Sequence, residues 1–213
     1  MGAAQEQIPG MNHRQTTPKR EIRTYKAEIR TAEDGAAPKI AGYAAVYDAY
    51  SEDMGGWYER IAPGAFSDVL AGADIRALIN HDPNMVLGRS KSGTLTCRED
   101  NTGLNIEITP PDVGYANDLL TSMQRGDIDQ MSFAFIVSDA NWDETRDGLP
   151  VRTITGFQEL FDVSVVTYPA YPTTSASVRS NSEVFADYES VQPPDNGAGA
   201  EIRAKKLILR GKI

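Results

Sequence analysis

FQELFDVSVVTYPAYP, residues 157–172, is the stretch on which the rest of the chain turns. Aromatic and β-branched residues crowd Phe157–Thr167, which predicts a strand, and the Pro-rich close predicts its end. Alternation sets Asp162 with Leu160 and Ser164 on one face, and Glu159 with Phe157 and Phe161 on the other. A carboxylate inside an apolar strand is costly unless it is hydrogen-bonded or paired. Asp162 therefore demands a partner. An arginine or backbone N–H at a strand edge would be the structural answer, and a catalytic imidazole the functional one.

Upstream, DQMSFAFIVS (residues 129–138) shows the same period. Met131, Phe133, Phe135 and Val137 form a bulky face that must meet the core. Ser132, Ala134 and Ile136 form the other, whose small first members leave room beside Ser132. Further strands are predicted at Ile22–Ile29, Lys39–Tyr47, Ile75–His81, Thr94–Arg98 and Leu104–Thr109, with Val151–Ile154 feeding the last strand. Two helices are predicted. Ala65–Ala71 is opened by Pro63, and Val113–Arg125 starts from Asp112 as N-cap and stops at Gly126. On the second, Tyr115, Ala116, Leu119, Leu120 and Met123 make a docking face. The class is α+β and mainly β.

The ends read differently from the middle. Residues 1–20 are polar and are expected to form a flexible arm ahead of a domain at 21–177. Residues 178–213 hold a Ser-, Pro-, Gly- and acid-rich linker and then a basic tail, EIRAKKLILRGKI. That tail is either a solvated surface segment or a docking peptide for an acidic partner.

Composition narrows the functional classes. With 21 Lys plus Arg against 30 Asp plus Glu, the chain lacks the cations of a nucleic-acid-coating protein. No apolar run reaches the roughly 18 residues of a membrane span, and the first twenty residues lack a signal-peptide core. A soluble, cytosolic protein is expected. The single cysteine, Cys97, excludes an intramolecular disulfide and reads as an incidental strand thiol. No GxSxG elbow, SxxK pair or HExxH occurs, and no second histidine stands at ligand spacing, so no cofactor and no metal are expected.

His81 lies in ALINHDPNMVLGRS, residues 77–90. Alternation through Ile75, Ala77 and Ile79 places it at a strand end on an apolar face. Because His13 lies in the polar arm, His81 is the one histidine of the folded region. A serine nucleophile needs an imidazole to take its proton, and the imidazole needs an acceptor to hold its tautomer. Any histidine-dependent hydrolase built on this chain must use His81.

Taken in order, INHDPNMVLGRS, DQMSFAF and LFDVSVVTYPAYP resemble the caudovirus prohead proteases, capsid-maturation serine proteases of tailed phages. IAGYAAVYD and YERIAPGAF resemble that family's opening strands and the segment before its first helix. The resemblance runs from about Ile22 to Ser177. It implies a fold related to the herpesvirus assemblins, a β-barrel surrounded by a few helices. It also implies a catalytic Ser132 and His81, with Asp162 standing where the family commonly has Glu and Glu159 in reserve. The implied activity is cleavage of the scaffold, or of the scaffolding segment of the major capsid protein, inside the prohead in the host cytoplasm. Self-cleavage and self-association belong to the same expectation, and the basic tail becomes a tether to scaffold or shell. The oxyanion donors are expected from backbone N–H groups, with YPAYPT as a neighbour. The competing reading keeps the barrel but makes it a non-catalytic assembly module, its serine and histidine structural.

Overall fold

The computed structural model describes residues 19–25, 29–33, 38–168, 183–186 and 188. Its spine is a long hairpin. Strand β9 (Gln130–Arg146) and strand β10 (Leu149–Val166) pair antiparallel over nearly their whole length. Asp147 and Gly148, both at positive φ (52° and 75°), form the two-residue turn between them. Positive φ at both central positions matches the right-handed twist of the flanking strands, which is why Asp-Gly favours this turn. Continuous pairing makes one strand of the two segments expected at 151–154 and 157–167.

The hairpin organises a six-stranded sheet. Strand β1 (Glu21–Tyr25) pairs antiparallel with β9. Strand β4 (Tyr58–Ile61) lies parallel to the first part of β10, and strand β5 (Arg76–Ile79) parallel to its last part. Strand β6 (Asp82–Arg89) pairs antiparallel with β5 and closes that side of the path. A second sheet runs β2 (Ile29–Glu33), β3 (Pro38–Val46), β8 (Gly103–Ile108), β7 (Leu95–Glu99), all antiparallel. The mainly β, α+β class is as expected. The ladders among the described residues form two sheets that do not close into a barrel.

Four details depart from the sequence reading. The expected strand Ile22–Ile29 is two strands, β1 and β2, because its ends pair with different sheets. Strands β4 and β6 were not anticipated. Pro83 argues against a central strand, and β6 accommodates it by lying at the sheet edge. The helix after Pro63 is a single turn, α1 (Ser67–Leu70), with the Glu99 carboxylate accepting from Phe66 N at 3.1 Å and from the Ser67 hydroxyl. Helix α2 (Gly114–Arg125) ends at Gly126 as expected, but Val113, not Asp112, takes the N-cap position.

The core lies between the two sheets. Phe66 stacks on Phe157 at 4.4 Å between centroids, and Phe133 and Phe135 complete the aromatic group. The bulky face of β9 is therefore the core face, and α2 docks through Ala116, Leu119 and Leu120. A smaller cluster joins Trp57, Val184 and Phe185. The linker expected after residue 178 thus includes helical residues at 183–186, whose apolar partners Trp57 and Trp142 are remote in sequence. The arm up to residue 18 and the basic tail lie outside the described residues.

Candidate active site

The outer face of the long hairpin brings the candidate residues together. In the β9–β10 register Ser164 lies opposite Ser132, and Asp162 opposite Ala134, so these four share a face. Period-two alternation accomplishes this, and the bulges of β10 leave these last rungs regular. Glu159 is exposed and lines a separate cavity with Asp74, Arg76 and Phe161. The carboxylate within reach of the imidazole is Asp162.

His81 arrives from the neighbouring strand pair. Strand β5 stops at Ile79, and Asn80 and His81 form the two-residue turn into β6, since Ile79 pairs with Asp82. This corrects the expectation that His81 ends a strand on its apolar face. Both turn residues hold positive φ, 51° and 58°. Asn and His tolerate that region better than most residues, yet it carries a cost and recurs at functional positions. Asn80 anchors the turn, its Oδ1 accepting from Thr167 N at 3.0 Å. The left-handed turn swings the imidazole over the end of β10.

The result is a linear relay. His81 Nδ1 lies 2.6 Å from Asp162 Oδ1, and Nε2 lies 2.8 Å from Ser132 Oγ. A carboxylate can only accept, so Nδ1 bears the proton and the Nε2 lone pair faces the serine hydroxyl. Asp162 is nearly buried, with a side chain 3% exposed. Three donors among the described residues satisfy it: His81 Nδ1, Ser164 Oγ at 2.7 Å on Oδ1, and Arg20 Nη2 at 2.6 Å on Oδ2. Asp162 thus has both an arginine and an imidazole as partners. Ser164 and Arg20 escaped the sequence reading. The shared face of Ser164 and Asp162 was the available signal for the first. Arg20, assigned to the polar arm, offered none.

Ser132 is completely buried, and its hydroxyl has a second acceptor, the Arg23 carbonyl of β1 at 3.0 Å. One O–H proton serves two acceptors. Pointed at Nε2, the hydroxyl is ready to lose its proton; pointed at the Arg23 carbonyl, it is withheld. Burial pushes the Cys97 thiol up to about 12, so the chain's cysteine stays protonated and is a poor nucleophile at neutral pH. Tyr168 is exposed, and residues 169–173, expected with it beside the oxyanion, lie outside the described residues.

A family model described as caudovirus prohead serine protease matches residues 25–187. The prohead protease of Enterobacteria phage HK97 is 31% identical over 150 residues, covering 68% of this chain and 61% of that protein. The chain thus spans about three fifths of that relative's length. The bacteriophage T4 capsid assembly protease shares the fold, with a TM-score of 0.50 at 14% identity over 72% of this chain and 100% of that one.

Proposed function

We propose, since the chain belongs to the caudovirus prohead serine protease family, that it is a serine endopeptidase of the immature capsid. Its substrate is the scaffold, or the scaffolding segment of the major capsid protein, and the chain also cleaves itself. The observation that carries the reading is the unbroken line from Ser132 through His81 to Asp162, at 2.8 and 2.6 Å.

The chemistry follows from that line. Ser132 Oγ attacks the scissile carbonyl carbon as its proton passes to His81 Nε2. The imidazolium is stabilised by Asp162, whose carboxylate already receives the Nδ1–H. Collapse of the tetrahedral intermediate breaks the C–N bond, and His81 returns the proton to the departing amine. Water then repeats the sequence on the acyl-enzyme and frees Ser132. Donors for the oxyanion come from backbone N–H groups near the end of β10. Self-association and action within the prohead in the host cell complete the reading.

One observation favours the rival, a non-catalytic assembly module: Ser132 is wholly buried and already bonded to a backbone carbonyl. Co-expression with the cognate capsid protein separates the two. The catalytic reading expects wild type to shorten the capsid protein while Ser132→Ala, equally folded, leaves it intact. Identical processing by both would leave the assembly module standing.

A further inference from the structure

We propose that Arg20 is a positioning residue for the proton relay, a role that rests on the protease reading above. Arg20 directly precedes β1 and lies before residue 25, where the family match begins. Its Nη2 holds Asp162 Oδ2 at 2.6 Å, while Asp162 Oδ1 faces His81 and Ser164. A carboxylate gripped at one oxygen can still rotate about its own bond. Gripped at both, it presents Oδ1 to the imidazole in one orientation. The guanidinium is itself held, 5.1 Å above the Phe161 ring, the residue next to Asp162 in β10.

The strand behind it is fixed from the opposite face. Glu21 and Arg23 enter a buried ion network with Glu59 of β4 and Arg152 of β10, so β1 is tied to two other strands of its sheet. The same strand supplies the Arg23 carbonyl that accepts from Ser132. The short segment made of β1 and the residue before it thus touches both ends of the relay: Asp162 through the Arg20 side chain, and Ser132 through the Arg23 backbone oxygen. Arg20 Nε is buried with no hydrogen-bond partner among the described residues. The side chain accepts that cost to reach Asp162 and Phe161, which a merely solvated arginine would not do.

Arg20 touches no reacting atom, so its removal should misplace the imidazole without abolishing the nucleophile. The experiment uses the full chain as wild type, Arg20→Ala, Arg20→Gln and Arg20→Lys, with Arg125→Gln at the exposed end of α2 as a charge-loss control. Two quantities are followed: the rate at which diisopropyl fluorophosphate modifies Ser132, and the low-field proton resonance of His81 Nδ1–H. Arg20→Ala and Arg20→Gln should slow modification about 10- to 100-fold, the scale expected for a displaced reacting group. The resonance should move or broaden in both. Arg20→Lys should recover part of the rate, since it keeps the charge but loses the planar fork. Added guanidinium ion should restore Arg20→Ala towards wild type.

Wild-type rates in Arg20→Ala and Arg20→Gln with an unmoved resonance would overturn the proposal. If Arg20→Ala fails to fold, Arg20→Gln and Arg20→Lys decide between the same outcomes. If even wild-type Ser132 resists modification, the protease reading falls. The resonance then decides the position of Arg20 by itself: moved in Arg20→Gln supports the role, unmoved rejects it.

Discussion

The six-stranded sheet carries a polar cluster on each face, and β1 and β10 contribute to both. On the core face, Glu21, Arg23, Glu59 and Arg152 join two anions to two cations, each less than a tenth exposed. Burial works against the Arg152 charge, but Glu21 and Glu59 more than offset this and hold its proton more firmly than usual. On the outer face, Arg20, Asp162, Ser164, His81 and Ser132 form an open line. The inner set pairs each of its carboxylates with both of its guanidinium groups. The outer line ends in a hydroxyl with one proton and two acceptors. Paired charges make a fastener; a shared proton is what the proposed protease chemistry requires. Arg23 joins the two, its side chain in the fastener and its carbonyl on the nucleophile.

That contrast can be broken at either cluster. The largest effect is expected from the outer line, on activity alone. Ser132→Ala or Asp162→Asn should lower turnover by about 10³-fold or more, with the urea midpoint little changed. A comparable loss of stability would make the outer line structural as well. Next comes the inner set. Glu59→Ala takes a buried carboxylate from both Arg23 and Arg152, and should cost about 3–5 kcal/mol as a buried pair loses one partner. The check is a fall in the denaturation midpoint at unchanged m-value. Activity per folded molecule should survive unless β1 detaches, in which case the two clusters are coupled through that strand.

Smaller effects sharpen the picture. Asn80→Val places a β-branched residue at positive φ and removes the bond to Thr167 N, so about 1–2 kcal/mol should be lost. Activity should fall further than stability, because the same turn aims His81. The smallest effect concerns Asp74, outside both clusters. The Arg89 fork beside it, helped by Arg76 and Lys91, lowers its carboxyl to about 2. That value lies below the unfolded one of about 3.9. The contribution to stability is therefore present above the unfolded value and is lost as pH falls through the folded one. Asp74→Asn should be less stable than wild type at pH 6, and the gap should close on acidification towards pH 2. A gap independent of pH would assign it to packing.

The two clusters also differ in how legible they were. The outer one was largely visible, because an isolated acid, a serine with small neighbours and the domain's one histidine each break a strong apolar pattern. Even so, the route of His81 was misread, since a two-residue left-handed turn ended the strand before the periodicity did. The inner cluster was invisible. Glu21, Arg23, Glu59 and Arg152 look like ordinary polar positions of half-exposed strands, and only pairing across three strands buries them. The helical residues near 184 were missed for the same reason, as their apolar partners lie more than forty residues upstream.

The sequence alone determined the mainly β class, the core face of β9, the docking face and end of α2, and the shared face of Asp162 with Ser164. All of these follow from period and local backbone preference, which depend on near neighbours. Tertiary structure decided the rest: that β1 and β2 part into different sheets, that β10 bridges two parallel partners, that Asp162 and not Glu159 meets His81, and that Arg20 reaches Asp162. Those outcomes depend on contacts between residues far apart in the chain, where strand register, and not composition, sets which side chains meet.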